Sequence, residues 1–319
     1  TCHYDIPEGW RNARVFTMAV AGARGTGKSV YIAVAMQSLI RYAQARACTV
    51  SAYTQGTLDV YNREYYQPLF DENITMRGTP PVSAGGAYQR DPLIWDMSGG
   101  SLGRLFLVIR DAAGEDLEAI VGQSRAYSFF GRADLVVFLF DPLRLNSIRQ
   151  VLSGVIPDVD QKRLGVPADK VLANVLNQVE RSDVPLALTI SKFDSLQQLP
   201  QADNPLAMPM ANPGAQFNRD DTMARSAKPA RDAVKMLDRD SELLDAELRT
   251  LYQDLGQNNV VLLAEQALQS HKIGRLRHFA VSALGETPVH NQQLTLRGVS
   301  PFRVLDPILW GMAQAGYLF

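Results

Sequence analysis

Apolar positions along this chain gather into short runs, and their period changes from one run to the next. Residues 14–22 (RVFTMAVAG) form a compact apolar run ending in glycine, which predicts a strand. Over 27–46, Val30, Ile32, Ala33, Met36, Leu39, Ile40, Tyr42 and Ala43 recur at helical spacing. Further strands are expected at 49–54, 92–97 and 104–111, the last two joined by Ser98-Gly99-Gly100-Ser101, which suits a hairpin turn. Residues 135–141 and 185–191 are apolar at successive positions, as strands buried between two helical layers are. Helices are predicted over 58–70, 116–131 and 170–182. A helix or strand follows at 260–271, then a last strand at 276–284 and an apolar closing helix at 305–319.

The periodicity lapses twice. Residues 71–91, rich in Gly, Pro, Asn and Asp, read as a long loop, and 196–226, with Pro200, Pro205, Pro209 and Pro213, as a flexible insertion. After it, 229–255 places Val234, Leu237, Leu244, Leu248 and Leu251 on one stripe of a charged helix, a core-facing surface that could also serve as a partner groove. Alternating strands and helices predict an α/β fold, a three-layer, doubly wound and mostly parallel sheet of about six strands. The expected organisation is one domain over 14–285 with an insertion at 196–256 and a C-terminal extension, 286–319, packed on it. Residues 1–13 would end an upstream segment.

Composition narrows the partners. The 319 residues are 46% hydrophobic and 20% charged, with a formal net charge of −1, so no global field favours nucleic acid or an anionic membrane. Apolar runs such as Leu135–Phe140 fall far short of the ~20 residues that cross a bilayer, and no apolar leader opens the sequence, which makes a cytoplasmic protein the expectation. Two cysteines exclude a disulfide framework. Cys48 reads as core. Cys2 reads either as the last ligand of an upstream zinc ribbon or as an ordinary surface cysteine.

The chemistry begins at Gly22-Ala23-Arg24-Gly25-Thr26-Gly27-Lys28-Ser29, which fits G-x-x-x-x-G-K-[ST] between a predicted strand and helix. Consecutive backbone N–H groups of such a loop, through Val30, can surround phosphate oxygens, helped by the positive end of the helix. Lys28 is placed to reach the phosphates and Ser29 to ligate Mg²⁺. Asp111 ends a second apolar strand, where ligands bind in open α/β sheets, and is the natural partner of that metal. Asp111-Ala112-Ala113-Gly114-Glu115 is a D-x-x-G pattern, and Thr189-Ile190-Ser191-Lys192-Phe193-Asp194 an [NT]-K-x-D-like one. A carboxylate at Asp194 can accept two guanine N–H groups while the stem of Lys192 covers the ring. Val281-Ser282-Ala283-Leu284 closes the last strand as an S-A-[KL] element.

Four such elements in this order resemble the GTP-hydrolysing P-loop proteins of the translation-factor-like class, to which Ras-like proteins belong, over residues 14–285. Within that class, Pro80–Ser83, the D-A-A-G-E stretch and Val304-Leu305-Asp306-Pro307-Ile308-Leu309-Trp310 are similar to the bacterial double-GTPase group of conflict and defence systems. The resemblance implies that Gly22, Arg24, Gly25, Thr26, Gly27, Lys28, Ser29 and Val30 hold GTP or GDP, that Ser29, Ser83 and Asp111 hold Mg²⁺, and that Gly114 senses the γ-phosphate. Lys192, Asp194, Ser282, Ala283 and Leu284 would select guanine. Lys28, Ser83, Gly114 and Glu115 would form the catalytic set.

Three positions depart from the pattern. Ser191 stands where Asn or Thr is usual. The residue closing over Mg²⁺ is Ser83 by first choice, then Thr79 and Thr75. Glu115 replaces the water-orienting Gln, and a carboxylate cannot donate to the transferring phosphate as an amide can. The expectation is therefore a slow or partner-stimulated GTPase switch with a protein effector or activating partner, which a second GTPase subunit could be. The competing readings are a GTP-binding scaffold with little or no hydrolysis and, behind it, a P-loop ATPase. Arg24 reads chiefly as a solvent-facing side chain, Arg110 as the partner of a carboxylate and Asp141 as a helix cap. His271 and His278 read as structural, and Tyr53, Tyr61, Tyr65 and Tyr66 as core and helix-face residues.

Overall fold

A computed structural model describes residues 8–76, 91–120, 122, 125–157, 165–288, 293–294 and 298–317. Seven strands form one sheet: β1 (Arg14–Gly22), β2 (Thr49–Ala52), β3 (Leu93–Gly99), β4 (Gly103–Asp111), β5 (Leu135–Phe140), β6 (Pro185–Ile190) and β7 (Arg275–Ala280). Their order is β2-β3-β4-β1-β5-β6-β7. The five strands from β4 to β7 run parallel, in registers such as Val20↔Asp111 and Val20↔Val137. β3 alone is antiparallel to its neighbours, because the turn between Gly99 and Gly103 is too short for the crossover that parallel pairing needs. β5 and β6 are buried at every position, as their unbroken apolar sequences LVVFLF and PLALTI predict.

The helices are α1 (Lys28–Gln44), α2 (Gln55–Tyr61), α3 (Gly114–Ala119), α4 (Asn146–Val151), α5 (Ala168–Gln178), α6 (Phe193–Leu196), α7 (Ala207–Ala211), α8 (Thr222–Ser226), α9 (Ala230–Asp254), α10 (Asn258–Gln269) and α11 (Asp306–Gln314). They cover both faces of the sheet, giving a mixed α/β fold. One large apolar core runs through it and includes Phe16, Met36, Leu248, Tyr252 and Trp310.

Most predicted strand and helix positions fall within a few residues of the observed ones, and three segments differ. The helix expected over 58–70 is two pieces: α2, and a wider π-helical stretch, Asn62–Asp71, containing Pro68. Proline lacks the N–H an α-turn would use, and the wider turn keeps Tyr65 stacked on Tyr61 at 5.8 Å. The helix expected over 116–131 is instead the short α3 and a 3-10 stretch, Arg125–Arg132. The segment expected to be a flexible insertion, 196–226, folds as a series of short helices that bury Met210, Gln216, Phe217 and Arg225. All seven segments read as strands are strands, against a sheet of about six, and the choice of helix or strand at 260–271 resolves as α10. On α9, Leu237, Leu244, Leu248 and Leu251 are buried as the stripe requires, with Val234 half-buried.

Candidate functional site

Five adjacent parallel strands end at one edge of the sheet, and each delivers a singled-out residue there. β1 leads into the Gly22–Ser29 turn, β4 ends at Asp111, β5 precedes Asp141, β6 precedes Lys192 and Asp194, and β7 precedes Ser282. A parallel sheet gathers strand ends in this way because its crossovers return every chain segment to the same starting edge.

The turn leaves β1 at Gly22 and enters α1 through Gly27, whose φ of 86° is left-handed. A Cβ at Gly27 would meet nothing within 4 Å, so the chain there leaves open room beside the start of the helix. Lys28 Nζ is buried and donates to the carbonyls of Gly22 at 2.9 Å and Ala23 at 3.0 Å. Burial brings its pKa down to about 8, against the opposing pull of the Asp111 and Glu118 carboxylates, with the Arg144 cation lowering it further. Ser29 Oγ donates to Asp111 Oδ2 at 2.6 Å, and the Tyr65 hydroxyl donates to the same oxygen at 3.1 Å.

Gly114 lies directly against this turn. A Cβ there would stand 2.5 Å from the Arg24 nitrogen and 2.7 Å from the Ala23 carbonyl carbon, so only glycine permits the approach. The approach brings the acidic helix α3 onto the turn: the Arg24 N–H donates to Glu118 Oε1 at 2.9 Å, and the Arg24 side chain pairs with Glu115 at 3.0 Å. Arg144 closes the group, donating to the Arg24 carbonyl at 2.7 Å and lying 3.7 Å from Glu118.

The base-reading candidates also meet. Lys192, itself left-handed with φ 50°, donates to Asp141 Oδ2 at 2.5 Å and to the Gly25 carbonyl at 2.9 Å, tying the end of β6 to the turn. Ser282 Oγ donates to Asp194 Oδ1 at 2.5 Å, joining the two elements that follow β6 and β7. Burial pushes the Asp194 pKa up, against the Ser282 hydrogen bond and the Lys192 charge. Ala283 and Leu284 follow, half-buried, and Ser191 turns inward to the Phe140 carbonyl at 3.2 Å.

Ser83, Thr79 and Cys2 lie outside the described residues, as does most of the 71–91 loop; Thr75 is described and half-buried. Among the described residues no group of three or more His, Cys, Asp or Glu could hold a metal ion. The Ser29–Asp111 pair offers one hydroxyl and one carboxylate, a donor set that suits Mg²⁺ only together with phosphate oxygens or water.

The residues weighed as structural have that character. Asp141 caps the following turn through Leu143 N at 2.9 Å and pairs with Lys192 besides. Arg110, expected beside a carboxylate, lies over the Phe129 ring at 4.9 Å, and Arg24, expected to face solvent, is half-exposed and paired with Glu115. His278 is fully buried, with Nδ1 and its backbone N–H each 2.8 Å from Asp245 Oδ1. Sequence reasoning passed over Glu118, Arg144 and the buried cluster of Arg225, Arg303 and Asp306. Isolated Glu and Arg on predicted helices and loops carry no periodic signal, and their pairing exists only in three dimensions.

No protein-family model matches the chain. A curated relative from Mycolicibacterium smegmatis (strain ATCC 700084 / mc(2)155), “Putative ESX-1 scaffolding and assembly protein SaeC”, is 35% identical over 318 residues, which is 99% of this chain and 79% of that protein. The crystal structure of ttk003000868 from Thermus thermophilus aligns at a TM-score of 0.32 and 12% identity, too slight a likeness to carry an argument. It covers 95% of this chain, which spans only 40% of that one. The SaeC match overturns the resemblance to GTP-hydrolysing P-loop proteins and to the double-GTPase defence group. With it go the expectations of an enzyme and of a hydrolytic switch. Glu115, expected beside an attacking water, is instead held by Arg24. No helix among the described residues is long and apolar enough to cross a membrane.

Proposed function

The chain belongs to the family of SaeC, and we propose that it is itself a scaffolding protein, one that holds protein partners and binds a guanine nucleotide in its 22–29 turn with little or no hydrolysis. The observation that carries the nucleotide half is the convergence of the turn, Asp111, Lys192, Asp194 and Ser282 along the carboxyl edge of β4, β1, β5, β6 and β7. In this reading the backbone of Gly22, Arg24, Gly25, Thr26, Gly27 and Val30 and the Lys28 ammonium hold the phosphates, while Ser29 and Asp111 face Mg²⁺. Asp194, with Ser282, Ala283 and Leu284 beside it and Lys192 flanking, reads the base. Burial disfavours the Asp194 carboxylate, and a ligand donating two N–H groups would offset that penalty, which guanine can do and adenine cannot.

The partner half rests on the family and on surface character. Met208 and Met223, on α7 and α8, are 85% and 76% exposed, and flexible thioethers suit adaptable protein contacts. Equilibrium binding of GTP and ATP with Mg²⁺ to wild type, Lys28→Ala and Asp194→Ala tests the nucleotide half. GTP should bind in preference, the lysine variant should lose both, and the aspartate variant should lose the preference. Failure of wild type to bind either, or an unaltered preference in Asp194→Ala, would sink it. Cross-linking mass spectrometry tests the partner half: the same proteins should be held with GTP and with its β,γ-imido analogue, and holding that needs hydrolysable GTP would overturn the scaffold.

A further inference from the structure

A phosphate loop binds anions through its backbone N–H groups, so any internal anion that reaches one of them competes with the ligand. Here the Arg24 N–H already has such a partner in Glu118 Oε1 at 2.9 Å. The contact is built rather than incidental. Gly114 lets α3 lie on the Arg24 backbone, and Leu117, one residue before Glu118, is fully buried and pins the helix. Arg144 lies 3.7 Å from the same Glu118 Oε1, with side-chain exposures of only 9% and 12% for the pair. The same guanidinium also donates to the carbonyls of Arg24 at 2.7 Å and Val166 at 2.7 Å, which hold it at the turn independently of Glu118.

We propose that Glu118 is a built-in competitor for the anion that the turn takes, and that Arg144 is shared between them: phosphate entry exchanges the Glu118 carboxylate for a phosphate oxygen at the Arg24 N–H and leaves Arg144 facing the ligand. This rests on the reading of 22–29 as a phosphate-holding turn. It makes α3 the element that reports loading, because Gly114 and Leu117 tie the helix carrying Glu118 to the turn and the core, and loss of the Glu118–Arg24 contact loosens that attachment. Glu118 acts on the buried Arg144 guanidinium more strongly than Asp141 does, and a phosphate oxygen would take over the place Glu118 leaves. A scaffold built this way changes shape on ligand binding with no bond broken.

Two probes test the exchange, each with Mg²⁺: inorganic tripolyphosphate, which engages the turn alone, and the β,γ-imido analogue of GTP. Glu118→Gln, nearly the same shape but uncharged, should bind both about tenfold more tightly than wild type. Arg144→Gln added to that variant should give most of the gain back. In wild type, hydrogen exchange should slow in 22–29 and quicken in 114–119 on adding tripolyphosphate, a readout that does not depend on any variant folding. Equal affinities for wild type and Glu118→Gln, or unchanged exchange in 114–119 while 22–29 is protected, would overturn the competitor and leave the turn's phosphate role intact. An absence of binding by both proteins would overturn both. Tighter binding of tripolyphosphate with no added gain from the guanosine part would support the exchange while removing the base-reading claim.

Discussion

Ser29 and Asp111, 82 residues apart in the chain, are joined by a hydrogen bond of 2.6 Å that fastens the first turn of α1 to the end of β4. The bond replaces two hydration shells at the edge of the sheet, and Ser29→Ala should lower stability by about 1 kcal/mol in urea unfolding without added ligand. The same variant should weaken the Mg²⁺ dependence of tripolyphosphate binding. A nucleotide affinity equally sensitive to Mg²⁺ in both proteins would detach this pair from the metal.

Asp245 gives the fold a defined acid limit. Burial alone would raise its pKa, but hydrogen bonds and charge from His278, with a further bond from Arg249, hold it down at about 2. A folded-state pKa below the ordinary value of 3.8 means stability that is fully present above about pH 4 and drains away as pH falls toward 2. The contribution is on the order of 2 kcal/mol. Unfolding curves from pH 6 to pH 2.5 should show wild type losing more stability than Asp245→Asn over that window. Parallel losses would refute the assignment.

The buried cluster around Asp306 should be intolerant of a single deletion. Asp306 lies between Arg225 and Arg303, each guanidinium with 1% exposure or less, so Asp306→Ala takes the nearest carboxylate from two buried cations and leaves Arg225 with Asp240 at 3.5 Å and Arg303 with backbone carbonyls. A loss of about 3–5 kcal/mol is expected, enough to unfold a marginal domain. Asp183→Ala breaks the exposed pair with Arg181 and should change stability by less than about 1 kcal/mol. Chemical denaturation of the two variants side by side measures the contrast.

Gly114→Ala tests how closely α3 is held. The added methyl would meet the Arg24 nitrogen at 2.5 Å, a backbone atom that cannot swing aside. A destabilisation of about 1–3 kcal/mol is expected, with faster amide exchange in 114–119. Normal exchange there would mean that the turn, and not the helix, had moved.

The sequence made the sheet legible where burial is two-sided. The runs LVVFLF and PLALTI have no polar position to misplace, and the β3–β4 hairpin announces itself in two adjacent glycines. The 196–226 segment was opaque for the opposite reason. Its order comes from long-range polar contacts, such as Glu247 accepting from the backbone of Gln216 and Phe217 and Arg303 donating to the Gln216 carbonyl, which prolines and glutamines in sequence do not foretell. At the candidate site the residue types were readable, since each follows a strand. What each touches was not: Glu115 and Glu118 differ by one helical turn in sequence, yet one meets the side chain of Arg24 and the other its backbone. The four elements also misled as a set, because their order and spacing constrain where phosphate could sit and say nothing about whether it is cleaved.

The exposed Met223 of α8 acquires a mechanical meaning from the buried Arg225 on the same short helix. Arg225 belongs to α8 and reaches Asp306 at the start of α11, which packs against β5 and β6, while Arg46 just past α1 grips the carbonyls of Ser226 and Lys228 at 2.9 and 2.7 Å. A pull on Met223 would therefore pass from α8 through the Arg225–Asp306 ion pair into α11 and its packing on β5 and β6, so that tension applied at the rim would be borne by the middle of the molecule.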